Sequence, residues 1–212
     1  MTPFPRLAPL LLTGALLLVG GCSIIGGPRQ PSTLYAPEPR IQPDPAWPAA
    51  SWSLSLAHNS EPRMMDSGRI VVSPVAGELQ VYRGAGWVRA PGLMVEDAVL
   101  QTLEDSGKLP AVARQGSGIA ADYRLWLEVR QFKADYAGGT LPTAVIEVNA
   151  KLLHLQDATI IGNRTFRQEQ PAATAEVPQV ADAFALALGA IGRDLAGWAL
   201  QTGQAHETLP HR

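Results

Sequence analysis

The chain has 212 residues, 17 Lys+Arg against 19 Asp+Glu, a formal net charge of −2 and one Cys. No basic excess is present to release counterions, which excludes a protein built to coat nucleic acid. The lone Cys excludes an internal disulfide and a multi-Cys zinc or iron–sulfur site, while 46% hydrophobic and 17% charged residues are the composition of a folded domain.

Arg6 is the only charged side chain before residue 29, and an apolar run from Leu7 to Val19 follows it. Thirteen residues span about 20 Å as a helix, short of the ~30 Å hydrocarbon core of a bilayer. Residues 1–21 therefore read as a signal peptide. The run ends at Val19-Gly20-Gly21-Cys22: an aliphatic residue, two small ones and then the only thiol of the chain. This is the pattern of a lipobox, and it makes Cys22 the expected lipid-attachment site. The competing reading is a short secretory signal with an incidental Cys. The lipobox implies a membrane anchor through N-terminal acyl chains, palmitate among them; two or more chains anchor stably. Ser23, where Asp would mark inner-membrane retention, favours an outer-membrane protein facing the periplasm.

Between Pro28 and Pro48 lie Pro31, Pro37, Pro39, Pro43 and Pro45. Such a stretch sustains neither a helix nor an interior strand. Residues 22–50 are expected to be a Pro-rich tether, about 3.1 Å per residue, with a single domain over 51–202 and a loose tail over 203–212. In the domain, Trp52-Ser-Leu54-Ser-Leu56 alternates as a strand, and Arg69–Val72 and Leu79–Arg83 read as two more. Gly84-Ala-Gly86 reads as a turn. Pro91 precedes a helix over 92–106, with Val95, Val99 and Leu103 on one side and Ser106-Gly107 ending it. Strands are expected over 122–132, 143–155 and 159–167, joined by turns at Gly138-Gly139 and Asp157-Ala158 into an antiparallel meander. Val180, Phe184, Leu188, Ile191, Leu195 and Trp198 trace an apolar stripe on a closing helix over 178–201, beside the small residues Ala181, Ala185, Gly189 and Ala196. The fold class is α/β: a mixed, largely antiparallel sheet with two main helices, the C-terminal one packed on the sheet.

The chemistry-bearing patterns are weak. Gly116-Ser-Gly118-Ile-Ala-Ala121 matches a dinucleotide fingerprint in letters, but a strand follows it where a helix N-terminus is needed. Glu96-Asp97 and Glu104-Asp105 read as solvated helix-face acids rather than a catalytic pair. The four His show neither H-x-x-x-H nor H-E-x-x-H spacing, and His154 reads as a strand-end core residue. No nucleophile elbow is present. The reading is a non-enzyme with no cofactor and no metal. The aromatic residues are more suggestive. Trp126 and Phe132 share an alternating face with Arg124, Glu128 and Arg130. Packing of both rings under the closing helix is the plainer reading. The other is a partner-binding surface, either this face with Arg124, Trp126 and Arg130 or the segment from Tyr82 to Trp87, since Arg and aromatics are enriched at interfaces.

Together, Cys22, Ile70-Val-Val72, Val81-Tyr82 with Trp87, Leu103-Glu-Asp-Ser-Gly107, Ala121-Asp-Tyr-Arg-Leu125 with Phe132, and a closing helix ending near Trp198 resemble the ABC-type transport auxiliary lipoproteins, the PqiC-like family. The resemblance covers residues 52–200. It implies a non-enzymatic docking or scaffold lipoprotein of an ABC or MCE-type system that moves lipids or other hydrophobic compounds across the envelope. The implied partner is a periplasmic MCE-type or ABC substrate-binding or tunnel protein. A homo-oligomer is compatible with a ring-shaped tunnel, but no interface residue is readable. Only Cys22 carries over from the family by position. The alternative is a periplasmic lipid carrier with an apolar cavity.

Overall fold

The computed structural model describes residues 32–58 and 68–208; the signal segment and Cys22 lie outside the described residues. In chain order the elements are β1 (Thr33–Tyr35), β2 (Leu54–His58), β3 (Arg69–Ser73), β4 (Gln80–Trp87), α1 (Pro91–Ser106), β5 (Val112–Arg114), β6 (Tyr123–Asp135), β7 (Thr143–His154), β8 (Thr159–Pro171) and α2 (Val177–Glu207). The strands form one mixed sheet curled into a half-barrel, with α2 packed on it. The fold class is the one the sequence predicts.

Strand β6 is the spine. One edge carries the expected antiparallel meander, β6–β7–β8. The other edge is shared. Its first half, Tyr123–Leu127, takes β2 in parallel, and its end, Ala134–Asp135, takes β3 in parallel. Beyond β2 lies β5, and beyond β3 lie β4 and then β1. Helix α1 starts on Pro91, whose missing N–H is no loss at a first helical position, and stops at Gly107, which takes the left-handed φ of 60°. The stripe of α2 is fully buried from Val180 to Leu195, with Trp198 partly buried at its end, and Val95, Val99 and Leu103 of α1 and Leu54, Leu125, Ile146 and Leu152 of the sheet are buried as well. Each such side chain contributes roughly 1.5–3 kcal/mol on burial. Phe184 of α2 stacks on Phe132 at 4.6 Å, and Trp87 meets both rings edge-on. Gly192 lets α2 cross α1 closely, since a Cβ there would lie 3.0 Å from the carbonyl oxygen of Ala98.

Four expectations are corrected. The Pro-rich stretch is not free from residue 33 onward. Tyr35 and Trp47 have rings to bury, and the Pro residues only deny them a long ladder. β1 joins the edge of β4, as Pro-flanked strands do. Trp47 is buried against Gly197, Lys108 Nζ donates to the Pro45 carbonyl at 2.9 Å, and Arg193 pairs with Asp44 at 3.2 Å. Residues 33–50 are thus a strap on α2, and the domain begins well before residue 51. At the other end, α2 runs to Glu207, because Gly203 seats the ring of Trp52 where a Cβ would come within 3.0 Å of three of its atoms. The Gly84–Gly86 turn lies inside β4. There Gly84 takes φ 66° at a bulge opposite Arg69–Val71, and Gly86 passes the Gly68 carbonyl where a Cβ would sit at 3.0 Å. Finally, Glu96 is not solvated: it is 3% exposed and 3.2 Å from Arg114, which also pairs with Asp97 and so ties β5 to α1.

Candidate functional site

The meander has an inner, apolar face and an outer, polar one. From Tyr123 to Val129 the alternation is regular, and Arg124, Trp126 and Glu128 point outward. Between Val129 and Gln131 the pairing with β7 slips by one residue, which leaves Arg130 as a bulge. The slip turns Phe132 and Ala134 inward. Trp126 and Phe132 therefore lie on opposite faces: Phe132 packs under α2, and Trp126 stands 38% exposed. The sequence reading placed both rings on one face because it carried the alternation through residue 130 unbroken.

Around Trp126 the outer face is a bonded polar lattice. Trp126 sits in a row with Lys151 and Asn163, and Glu128 in a row with Asn149 and Thr165. Asn149 Nδ2 donates to Asn163 Oδ1 at 2.9 Å and to Thr165 Oγ1 at 3.1 Å. Arg130 lies 3.4 Å from Thr165 Oγ1 and 3.6 Å from Glu128. One row on, Arg167 pairs with Glu169 at 2.7 Å and Glu147 at 3.0 Å, which holds its guanidinium above its ordinary pKa, Glu169 contributing most. Two polar atoms of this face, Arg124 Nε and Asn149 Oδ1, are shielded yet unpaired. Buried polar atoms are rarely left so. The face offers an aromatic plane between cations and a fixed set of donors and acceptors. That is equipment for binding.

The other two predicted residues lie elsewhere. Trp87 is 3% exposed in the core and cannot meet a partner; its ring is consumed by Phe132 and Phe184. Tyr82 is half-buried at the end of the sheet where the β3–β4 turn meets the β6–β7 turn, its hydroxyl 3.1 Å from that of Tyr136. Burial and then that bond push the Tyr82 phenol above its ordinary value.

The far end of β6 holds a cluster that spacing rules did not find. Tyr123 is paired across the ladder with His154, and the last turn of α2 brings His206 and Glu207 over both. The Tyr123 hydroxyl donates to Glu207 Oε1 at 2.6 Å and lies 2.7 Å from His206 Nδ1, which then donates to the phenol oxygen. Burial, and then Glu207, push this phenol above its ordinary value. His154 is buried, as expected, with Nδ1 3.0 Å from Asp157 Oδ1. The signal that could have found the cluster is the length of α2: a helix read as ending at 201 leaves His206 in a tail.

A groove of about 760 Å³ runs between the strap, α2 and β8. Arg40, Asp44, Arg164, Arg193 and Asp194 line it together with Trp47, Phe166 and Trp198. It is a charged groove, not the apolar cavity expected of a lipid carrier.

Residues 33–196 match the family described as the ABC-type transport auxiliary lipoprotein component. The chain belongs to this family. A crystal structure of a Xanthomonas campestris protein is 48% identical, superposes with a TM-score of 0.81 and matches over 84% of this chain and 100% of its own. Another crystal structure, of an uncharacterized protein, shares the fold at 15% identity and a TM-score of 0.56, over 80% of this chain and 99% of its own. No curated protein matches. The family is one of transport auxiliary components rather than enzymes, and its description places such a lipoprotein at a membrane of the cell envelope. The match begins at β1, so the strap belongs to the family's domain.

Proposed function

We propose that this chain is a lipid-anchored docking subunit of an ABC or MCE-type transport system for lipids or other hydrophobic compounds. It is held to the outer membrane through Cys22 and faces the periplasm. A periplasmic substrate-binding or tunnel component docks on the outer face of β6–β8. The observation that carries this reading is Trp126. A large ring left 38% exposed among Arg124, Lys151 and Arg130, beside two unpaired polar atoms, has no role in the core. Trp and Arg are the residues most often found as binding hot spots.

The test is capture of the partner in cells. A photo-crosslinking residue at position 126 should join the chain to a periplasmic component of an ABC or MCE system; the same residue at the distant, exposed Leu186 should not. Trp126→Ala should shift stability by about 1 kcal/mol or less and weaken partner recovery by tenfold or more, the loss of a hot spot of about 2 kcal/mol. Equal recovery with Trp126→Ala would remove this face from the reading. Absence of any envelope transport component from the crosslinks would remove the docking role itself.

A further inference from the structure

The cluster at the start of β6 has the make-up of a metal centre. One ligand atom from each of His154, His206 and Glu207 lies within 4.8 Å of the other two. A tetrahedral zinc ion with bonds of about 2.0–2.1 Å needs its ligands roughly 3.4 Å apart, so an approach of at most about 1.4 Å completes the set. The elements permit it. His154 is fixed in the sheet, whereas His206 and Glu207 sit in the last turn of α2 and neither is fully buried.

The surroundings are those that metal-bound imidazoles require. Asp157 engages Nδ1 of His154 at 3.0 Å and is itself held by the Thr159 backbone N–H at 3.0 Å. A carboxylate behind an imidazole fixes its tautomer and raises its basicity, and it assigns Nε2 the ligand role. The Tyr123 hydroxyl bridges His206 and Glu207 and orients both. Two imidazoles and one carboxylate suit zinc and its transition-metal neighbours, not magnesium or calcium, which prefer all-oxygen shells. Three protein ligands at an exposed helix end leave a fourth position open to water.

We propose that His154, His206 and Glu207 form a three-ligand site for a divalent transition-metal ion of the zinc type. The ion clamps the C-terminal turn of α2 to the end of β7. A purely structural cluster would satisfy the Tyr123 hydroxyl just as well, but it would not bind zinc in a defined ratio.

Titration of the untagged full chain carrying Cys22→Ser, so that no thiol competes, separates the two. Calorimetry should show one equivalent of Zn²⁺ per chain and no binding of Mg²⁺. Glu207→Gln and His206→Gln should each weaken zinc at least about tenfold, and Asp157→Asn, which positions His154, by about 10–100-fold. Circular dichroism should stay unchanged, since these three side chains lie at the surface or the helix end. No saturable zinc binding by the parent chain, or an unchanged affinity in both Glu207→Gln and His206→Gln, would overturn the site.

Discussion

Arg130 decides which side chains of β6 meet the core. Were the alternation of Tyr123, Leu125, Leu127 and Val129 unbroken, Gln131, Lys133 and Asp135 would point inward, and two charges would lose their water. The bulge prevents this. Lys133 and Asp135 emerge on the same side, 2.9 Å apart, and Phe132 goes in. The conflict is written in the sequence, but a strand read as stopping at Phe132 never meets it. Lys133 first, and then the backbone N–H of Ala137, hold the Asp135 carboxyl below its ordinary value, with burial opposing them. A depressed folded-state pKa contributes stability above the unfolded value near 3.9, which is lost as pH falls through the folded one. Asp135→Asn should therefore cost about 0.5–1 kcal/mol at neutral pH. Denaturation curves of the two proteins should converge as the pH drops below about 4. A difference that persists undiminished at low pH would exclude the ion pair as its source.

The elements visible in the sequence are those that carry their own periodicity. The apolar stripe of α2 and the alternation of β6, β7 and β8 need only local pattern to be read; all four elements start where they were expected, while β6, β8 and α2 run on past their expected ends. β1 and β5 are three residues each and exist because a neighbour lends them a ladder, so no local pattern announces them. The strap was hidden for a further reason: its Pro residues describe what it cannot form, whereas its contacts are made by β1 with β4 and by Arg40 and Trp47 with distant glycines of α2. Of the candidate site, Trp126 with its arginines was legible by residue type. The Tyr123–His206 cluster was not, because residues 83 apart meet only through the fold. Gly189 tests the seating of the strap. A Cβ there would stand 2.8 Å from the Arg40 carbonyl oxygen, a backbone atom that cannot swing aside. Gly189→Leu should improve helix propensity by about 0.8–1 kcal/mol yet lift the strap. Hydrogen exchange should show faster amides over residues 40–47 with the β6–β8 amides unchanged. Unaltered exchange over 40–47 would mean that this contact does not seat the strap.

At the scale of the molecule, the proposed anchor and the domain make separable demands. Cys22→Ser should abolish membrane retention and leave circular dichroism unchanged. Helix α2 is long and apolar enough to cross a membrane, but 67% of its most apolar window is buried, so it has no surface to spare as a second anchor. Fractionation of the two proteins checks this; a Ser variant that still sediments with membranes would sink the sole-anchor reading. A soluble form should begin near Ser32, because a start at residue 50 discards β1 and Trp47. The strap also resets a length. With the whole Pro-rich stretch free, an acylated Cys22 would leave the domain on a leash of nearly 30 residues. With residues 33–48 fastened to α2, only 11 steps separate Cys22 from Thr33, at most about 40 Å of contour. Effective concentration falls roughly as the −3/2 power of linker length. If Cys22 is the anchor proposed above, the fastened strap raises the local concentration of the domain near its leaflet by about fourfold. Releasing the strap would more than double the leash without changing a single contact to the partner. Two lipoproteins with identical docking faces could in this way serve partners that stand at different heights above the membrane.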